Sequence, residues 1–335
     1  MPCVLLSFCN FAPLYSMNKM MKFSQNKPLQ AHLSMFSAEV CWGLMSPITK
    51  DAILGGIDSI DIVTFRVAGA ALLFWIASLW APKEHVPRRD VLRLAGAALL
   101  GIVANQCLFT HGIQYTSPIN ASIVTTSMPI FAMILSFFIL KEPITLMKAG
   151  GVALGFTGAV VLVLSSASAS SAIQGNVVGD LMCMFAQFSF ALYLSLFNPL
   201  VRRYNAITVN KWMFLWSTLF VCPFTSFHIA STDWHAVAGT AWLEVAYIVA
   251  IGTFVCYLLS IVSQRVLRPT VVSIYNYVQP IVSVVTSVLT GLGVFTIWQG
   301  MAILLVFTGV WLVTKSKSKR DMQQEKSIEQ QNKKA

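Results

Sequence analysis

Hydrophobic positions in this chain do not alternate with polar ones. They run on in ten blocks, at about 32–50, 61–80, 92–112, 118–139, 147–165, 178–198, 209–229, 243–263, 270–290 and 296–314. Short polar connections separate the blocks. Roughly 20 apolar residues are what a helix needs to cross the hydrocarbon of a bilayer. The pattern therefore predicts an all-α membrane protein with ten transmembrane helices, and it leaves no length for a second soluble domain.

The blocks fall into two copies of one unit. Pro118, Ser122, Pro129 and Ser136 reappear 151 positions later as Pro269, Ser273, Pro280 and Ser287. The register holds without a gap from Gly101 (Gly252) to Phe156-Thr157-Gly158 (Phe307-Thr308-Gly309). Five helices per copy is an odd number, so the second copy must enter the membrane the opposite way up. This is an inverted-topology repeat about a pseudo-twofold axis in the membrane plane, a signature of secondary transporters with a site between the halves. The expected division is an N-terminal cytoplasmic segment 1–30, a first five-helix repeat 31–165, a second 177–314, and a polar cytoplasmic tail 315–335. The run Val4, Leu5, Leu6 and Phe8 has no basic stretch before it, which argues against a signal peptide. A start codon misplaced ahead of Met17, Met20 or Met21 is the other reading.

Composition agrees. Of 335 residues, 56% are hydrophobic and 11% charged, against about 25% charged in a soluble domain. Too little polar surface remains to coat a water-soluble globule. The net charge of +10 would suggest nucleic acid in a soluble protein, but its placement decides against that. Lys83, Arg88, Arg89, Arg93, Lys141, Lys148, Arg202, Arg203, Arg265, Arg268 and Lys315 fall on alternate connections, while Asp51, Asp58, Asp61, Asp180, Asp233 and Glu244 fall on the others. Basic loops stay cytoplasmic. Both termini are therefore expected in the cytoplasm, with the chain multi-pass in an inner, cytoplasmic-type membrane. The seven cysteines are scattered without metal-ligand spacing and read as small apolar fillers.

Several groups at membrane depth are candidates for chemistry, because ionisable side chains there are costly and usually functional. Glu39 and Lys50, eleven residues apart, project from one face of the first helix, with Ser46 on the same stripe. Glu39 is a proton or cation acceptor, or else pairs with a neighbouring helix; Lys50 lines the cavity or snorkels outward. Arg66 in the second helix could fork onto a substrate carboxylate or phosphate, or pair structurally with Asp61. His111 is a proton relay or an interfacial hydrogen-bonding residue.

Ser122, Thr125 and Pro129 share one face of the fourth helix, and Ser273, Asn276 and Pro280 share the matching face of the ninth, flanked by Tyr277 and Gln279. A mid-helix proline frees a carbonyl upstream, which a membrane tolerates only where protein, water or ligand re-satisfies it. Pro129 and Pro280 thus mark hinges beside the site, or merely shape helix packing. Asn105, Gln106, Gln187 and Tyr257 are further mid-depth polar groups, Gln106 and Tyr257 being counterparts 151 apart. Trp42, Tyr193 and Tyr275 line the cavity or pack. Glu142, on a basic connection, reads as a gate or a helix cap.

The chain resembles the EamA-domain branch of the drug/metabolite transporter superfamily over roughly 35–315. The resemblance is carried by Cys41-Trp42-Gly43, by Phe65-Arg66, and by the run from Gln114 through Pro118 to Ser122 that leads to Pro129. Leu140-Lys141-Glu142-Pro143, Gly155-Phe156-Thr157-Gly158 and Tyr275-Asn276-Tyr277-Val278-Gln279-Pro280 complete it. One departure is Gly293, where the family repeats the acid that Glu142 supplies in the first copy. The resemblance implies a ten-helix importer or exporter of small polar metabolites and names no substrate.

No phosphate-binding loop, metal-ligand cluster or nucleophile elbow is visible, so the chain does not read as an enzyme and implies no cofactor. An intramembrane enzyme would need a converging catalytic pair, and only Glu39 offers a deep carboxylate. The expected function is a secondary carrier of a small polar metabolite, an amino acid or related compound, working by alternating access. The alternative is a non-transporting scaffold or receptor without a hydrated polar cavity. Tags placed at the two ends of the chain are expected on one face of the membrane, the cytoplasmic one. Protease accessibility showing them on opposite faces would remove the inverted repeat.

Overall fold

A computed structural model of the chain describes residues 27–115, 124–167, 177–232, 234, 237–289, 297–317 and 322. Ten helical rods occupy the ten hydrophobic blocks among the described residues. They are α1 (Lys27–Leu54), α2 (Ser59–Ala77), α3 (Arg88–Ala98, Leu99–Ala104 and Asn105–Tyr115), α4 (Met128–Leu140), α5 (Leu146–Ala167) and α6 (Val177–Leu196). After a short turn, Asn198–Val201, come α7 (Ala206–Ser231), α8 (Gly239–Val249, Ala250–Val255 and Cys256–Gln264), α9 (Pro269–Ile274, Tyr275–Tyr277 and Val278–Leu289) and α10 (Ile297–Lys315).

Local sequence explains where the rods begin and end. Asp58 caps α2 by accepting the Ile60 amide at 2.9 Å, and Asn205 caps α7 through the Ile207 amide at 3.0 Å; each satisfies a donor that the first turn leaves open. Lys141 closes α4 in the left-handed conformation, φ 55°, ahead of Pro143, which cannot continue a helix. Among the described residues, five spans are long and apolar enough to cross a membrane: Ser59–Ala77, Arg88–Ile113, Val177–Leu196, Ala206–Ser231 and Gly239–Gln264. Met128–Leu140, Leu146–Val161 and Gly300–Lys315 are apolar and shorter.

The repeat is visible as geometry. In three hydrogen bonds among the described residues a residue meets its own counterpart. Gln106 Nε2 donates to Tyr257 Oη at 3.0 Å, Asn276 Nδ2 to the Thr125 carbonyl at 2.7 Å, and Thr218 Oγ1 to the Val67 carbonyl at 3.2 Å. A twofold operation brings a point next to its image only near the axis itself. The pseudo-twofold therefore passes between α2 and α7, between α3 and α8, and between α4 and α9.

It also passes between α5 and α10, where the helices touch backbone to backbone. A Cβ on Gly309 would lie 2.6 Å from the Gly151 carbonyl oxygen. The symmetry image of that contact is Gly158 against Ala302, where a Cβ would lie 2.8 Å from the carbonyl oxygen. Small residues drive helix association in lipid because no hydrophobic effect acts between helices there.

The sequence reads 118–139 and 270–290 as helices with a mid-helix proline that frees a carbonyl upstream, and the described residues interrupt both just before it, at a turn over 126–127 and at a single 3₁₀ turn over Tyr275–Tyr277. The two stretches overlap in the repeat register, position 126 being the counterpart of Tyr277. A proline lacks the N–H that would bond the carbonyl four residues back, and its ring clashes there. Ser122 lies outside the described residues, as do the side chains of Ser46 and Lys50, so the stripe proposed for α1 is described only at Glu39.

Gly309→Ala is expected to destabilise the purified protein by about 1–3 kcal/mol, because backbone cannot yield to the new methyl. Gly150→Ala, with nothing within 4 Å of its Cβ, should stay within about 0.5 kcal/mol of wild type. Thermal unfolding of the two variants in detergent checks the contrast.

Candidate functional site

The helix breaks are joined to a buried acid by a run of hydrogen bonds. Pro129 leaves the Thr125 carbonyl without its helical donor, and Asn276 Nδ2 supplies one at 2.7 Å. Asn276 is the residue whose own carbonyl Pro280 leaves open. Its Oδ1 accepts Gln279 Nε2 at 2.7 Å, and the same nitrogen donates to Glu39 Oε2 at 2.7 Å. Glu39 is 2% exposed. A carboxylate on α1 is thus tied through α9 to the break in α4, across the pseudo-twofold.

A second pair of symmetry-related irregularities flanks this run. Leu99–Ala104 in α3 and Ala250–Val255 in α8 are π-helical turns, and they are counterparts. A π turn widens the helix and opens carbonyls to side chains, and such turns often sit at functional sites. Here the openings are filled: Trp42 Nε1 donates to the Gly252 carbonyl at 2.9 Å, and Tyr257 Oη donates to the Gly101 carbonyl at 3.4 Å. The Trp42 and Tyr257 rings meet edge-on, centroids 5.7 Å apart. Tyr193, the counterpart of Trp42, lies against Gly101, where a Cβ would come 2.7 Å from its ring.

Helix α8 organises the rest. Thr253 accepts Arg66 Nε at 3.1 Å and donates to the Ile248 carbonyl at 2.8 Å. Cys256, one turn on, donates to the Ala38 carbonyl at 3.6 Å, next to Glu39. Glu39 and Arg66 therefore lie on either side of one stretch of α8. Asp61 does not pair with Arg66. It accepts Thr232 Oγ1 at 3.0 Å and lies 3.0 Å from His228 Nδ1, joining α2 to the end of α7.

A cavity of about 450 Å³ lies between α3 and α6, lined by Leu100, Ala104, Leu108, Val178, Phe185 and Leu192 among others. Its apolar wall suits hydrocarbon. The polar groups at mid-depth meet one another directly and not across this space.

A family model described as the EamA-like transporter family matches residues 29–164 and again 177–315. The chain belongs to the EamA-like transporter family. This membrane transporter, not an enzyme, is similar to the uncharacterized transporter YetK of Bacillus subtilis, with 23% identity over 77% of this chain and 78% of that one. It is similar to YyaM of the same organism at 23% identity, over 73% and 80%. The uncharacterized inner membrane transporter YhbE of Escherichia coli is 27% identical over 38% of this chain and 41% of that protein. A solved crystal structure shares the fold at a TM-score of 0.68 and 16% identity, covering 85% of this chain and 96% of that one.

In this EamA-like transporter the residues singled out by sequence separate into groups. Glu39, Thr125 and Asn276 join in one run; Trp42, Gln106 and Tyr257 join in another; Arg66 stands beside them on Thr253. Tyr277 points away: it is fully buried, its ring fills the space beside Gly155, and its hydroxyl donates to the Val152 carbonyl at 3.2 Å, fastening α9 to α5. Tyr193 donates to Gln264 Oε1 at 2.9 Å, and Tyr275 meets His32 Nδ1 at 2.8 Å. Gln187 is buried on α6 and enters none of these runs. Asn105 donates to the Ala186 carbonyl at 2.9 Å. His111 meets Tyr115 at an exposed position, 3.5 Å away. Glu142 pairs with the buried Lys148 at 3.0 Å.

Gln279 and Thr253 are central to the site and were not singled out as binding residues. The signal for Gln279 was its asymmetry, since its counterpart is Met128. The counterpart of Glu39 is Phe190, so the polar run exists on one side of the axis only. The Asn276–Gln279 link predicts a coupling energy of about 0.5–3 kcal/mol in a double-mutant cycle with Asn276→Ala and Gln279→Ala. Additive unfolding free energies would show that the two residues act independently.

Proposed function

We propose that this EamA-like transporter is a secondary carrier of the cytoplasmic membrane, with both termini cytoplasmic, that moves a small polar metabolite by alternating access. Amino acids and related compounds are the class to test first. The two five-helix repeats rock about the pseudo-twofold, bending at the breaks before Pro129 and Pro280, and Glu39 takes the coupling proton. Glu142 with Lys148 serves as a gate on the basic end of the bundle, and the sequence of the second repeat has Gly293 in place of a matching acid.

One observation carries the reading: Glu39 is linked by Gln279 and Asn276 to the carbonyl at the α4 break. Hydrogen bonds to an ionised group are about twice as strong as neutral ones. A carboxylate therefore holds the Gln279 amide firmly, while a carboxylic acid holds it weakly. Arrival of a proton loosens α1 from α9 and leaves the Gln279 amide to Asn276. The gain or loss of that charge inside the membrane is costly enough to bias two arrangements of the helices.

Glu39→Gln is expected to abolish the pH dependence of uptake into proteoliposomes while leaving solute exchange in place, because an amide keeps the shape and cannot titrate. Uptake by the variant that still rises and falls with pH as in wild type would remove Glu39 from the mechanism.

A further inference from the structure

Lys211 lies on α7, less than two turns after the Asn205 cap, inside a span long and apolar enough to cross a membrane. Its ammonium stands over two indole rings, 5.0 Å from the Trp75 centroid on α2 and 5.9 Å from that of Trp212. The two rings meet edge to face, centroids 5.8 Å apart, and form a corner around the charge. A ring face attracts a cation but is only a weak hydrogen-bond acceptor. No described carboxylate lies within ion-pair distance of Lys211, and no described group accepts a hydrogen bond from its Nζ. The indole N–H groups of Trp75 and Trp212 also lack an acceptor among the described residues. Trp42, Trp216 and Trp234, by contrast, donate to backbone carbonyls.

The surroundings place this corner at the edge of the hydrocarbon. Leu72, Trp75 and Ile76 stand at i, i+3 and i+4 on one exposed face of α2, and Leu79 and Trp80 continue it, exposed, through the turn that follows. A face of large apolar side chains on a membrane span borders acyl chains, which are as apolar as leucine. Tryptophan collects where those chains give way to headgroups. Charge is gathered at the same end of the bundle. The Asn205 amide donates to Glu84 Oε2 at 2.8 Å, which brings Lys83 to the start of α7. Trp216 Nε1 donates to the Val91 carbonyl at 3.0 Å, which holds the start of α3, with the exposed Arg88 and Arg89, against the same helix.

We propose that the corner formed by Lys211, Trp75 and Trp212 is a binding site for an anionic phospholipid. The phosphodiester accepts from the Lys211 ammonium and the two indole N–H groups, and the acyl chains lie along the exposed face of α2. All three protein groups are donors with no accepting atom of their own, and a phosphodiester offers oxygens that only accept. A zwitterionic lipid would bring a second cation among Lys83, Arg88 and Arg89, where Glu84 is already engaged by Asn205. Anionic lipid is drawn to such basic clusters beside a span. The site lies apart from the groups assigned to transport, so it neither needs the carrier reading nor tests it.

The test is native mass spectrometry of the full-length protein in detergent, titrated with phosphatidylglycerol and phosphatidylcholine carrying the same acyl chains. The wild type is expected to retain phosphatidylglycerol in preference to phosphatidylcholine. Lys211→Gln should weaken phosphatidylglycerol binding roughly five-fold, the effect of one cation at an anionic lipid surface. Lys211→Arg keeps the charge and should keep the binding. Trp212→Phe keeps a ring and removes one donor, and should weaken binding about two- to three-fold. Thermal unfolding reports whether each variant is folded, and Trp212→Phe keeps the site testable if Lys211→Gln does not fold.

Equal retention of the two lipids would mean that Lys211 merely extends its charge to the interface and would overturn the proposal. So would undiminished phosphatidylglycerol binding in the folded Lys211→Gln and Trp212→Phe variants. Displacement of the lipid by inorganic phosphate alone would assign the corner to a free anion. A dimer that Lys211→Gln dissociates would assign it to a second copy of the chain, and either result would overturn the lipid site.

Discussion

A carbonyl that a helix cannot satisfy governs the centre of this protein. Pro129 removes the donor that would have reached Thr125, and no water is available in hydrocarbon to replace it. Asn276 replaces it, from a position whose own carbonyl is opened by Pro280. Each repeat therefore has the same defect at the same place, and the two defects meet at the axis. The pairing joins unlike side chains, because Thr125 carries a hydroxyl where Asn276 carries an amide. Asn276 instead turns its oxygen to Gln279, and Gln279 reaches Glu39. The polar run stands on one side of the axis because Thr125, Met128 and Phe190 are the counterparts of Asn276, Gln279 and Glu39.

Backbone irregularity and buried polar groups share the same stretches. The π turns in α3 and α8 open carbonyls at Gly101 and Gly252, and aromatic side chains from neighbouring helices fill them. Around these openings the helices are held by directed hydrogen bonds, while α5 and α10 are held by close backbone approach at Gly151 and Gly309. The first kind of contact can exchange partners when a charge changes nearby, because each bond is an individual donor and acceptor. The second kind depends on shape and resists rearrangement. The bundle thus combines a seam held by close backbone approach with a centre held by individual hydrogen bonds.

Much of this was legible in the chain. The 151-residue register, the ten apolar blocks and the alternation of basic and acidic connections each follow from the requirement that a backbone in lipid bond to itself and that Lys and Arg stay on one side. The prolines flagged the breaks. What the chain did not disclose is which group replaces the missing hydrogen bond at each break, because hydrophobic pattern reports the solvent around a helix and is silent about partners on its neighbours. Sequence put Tyr277 beside the ninth-helix polar face; the structure shows its ring in the space beside Gly155 and its hydroxyl on the Val152 carbonyl, contacts between α9 and α5 that no spacing along the chain records.

Sequence by itself determined that the chain spans a membrane as two inverted halves and that few charges enter the interior, because burial of charge and of unbonded backbone is too costly to be hidden in any fold. Only tertiary structure decided which partner each of those groups meets. Asp61 and Arg66 are five residues apart on one helix, yet Asp61 turns to His228 on α7 and Arg66 to Thr253 on α8. That choice depends on which helix lies alongside, a matter of three-dimensional proximity that no spacing along the chain records.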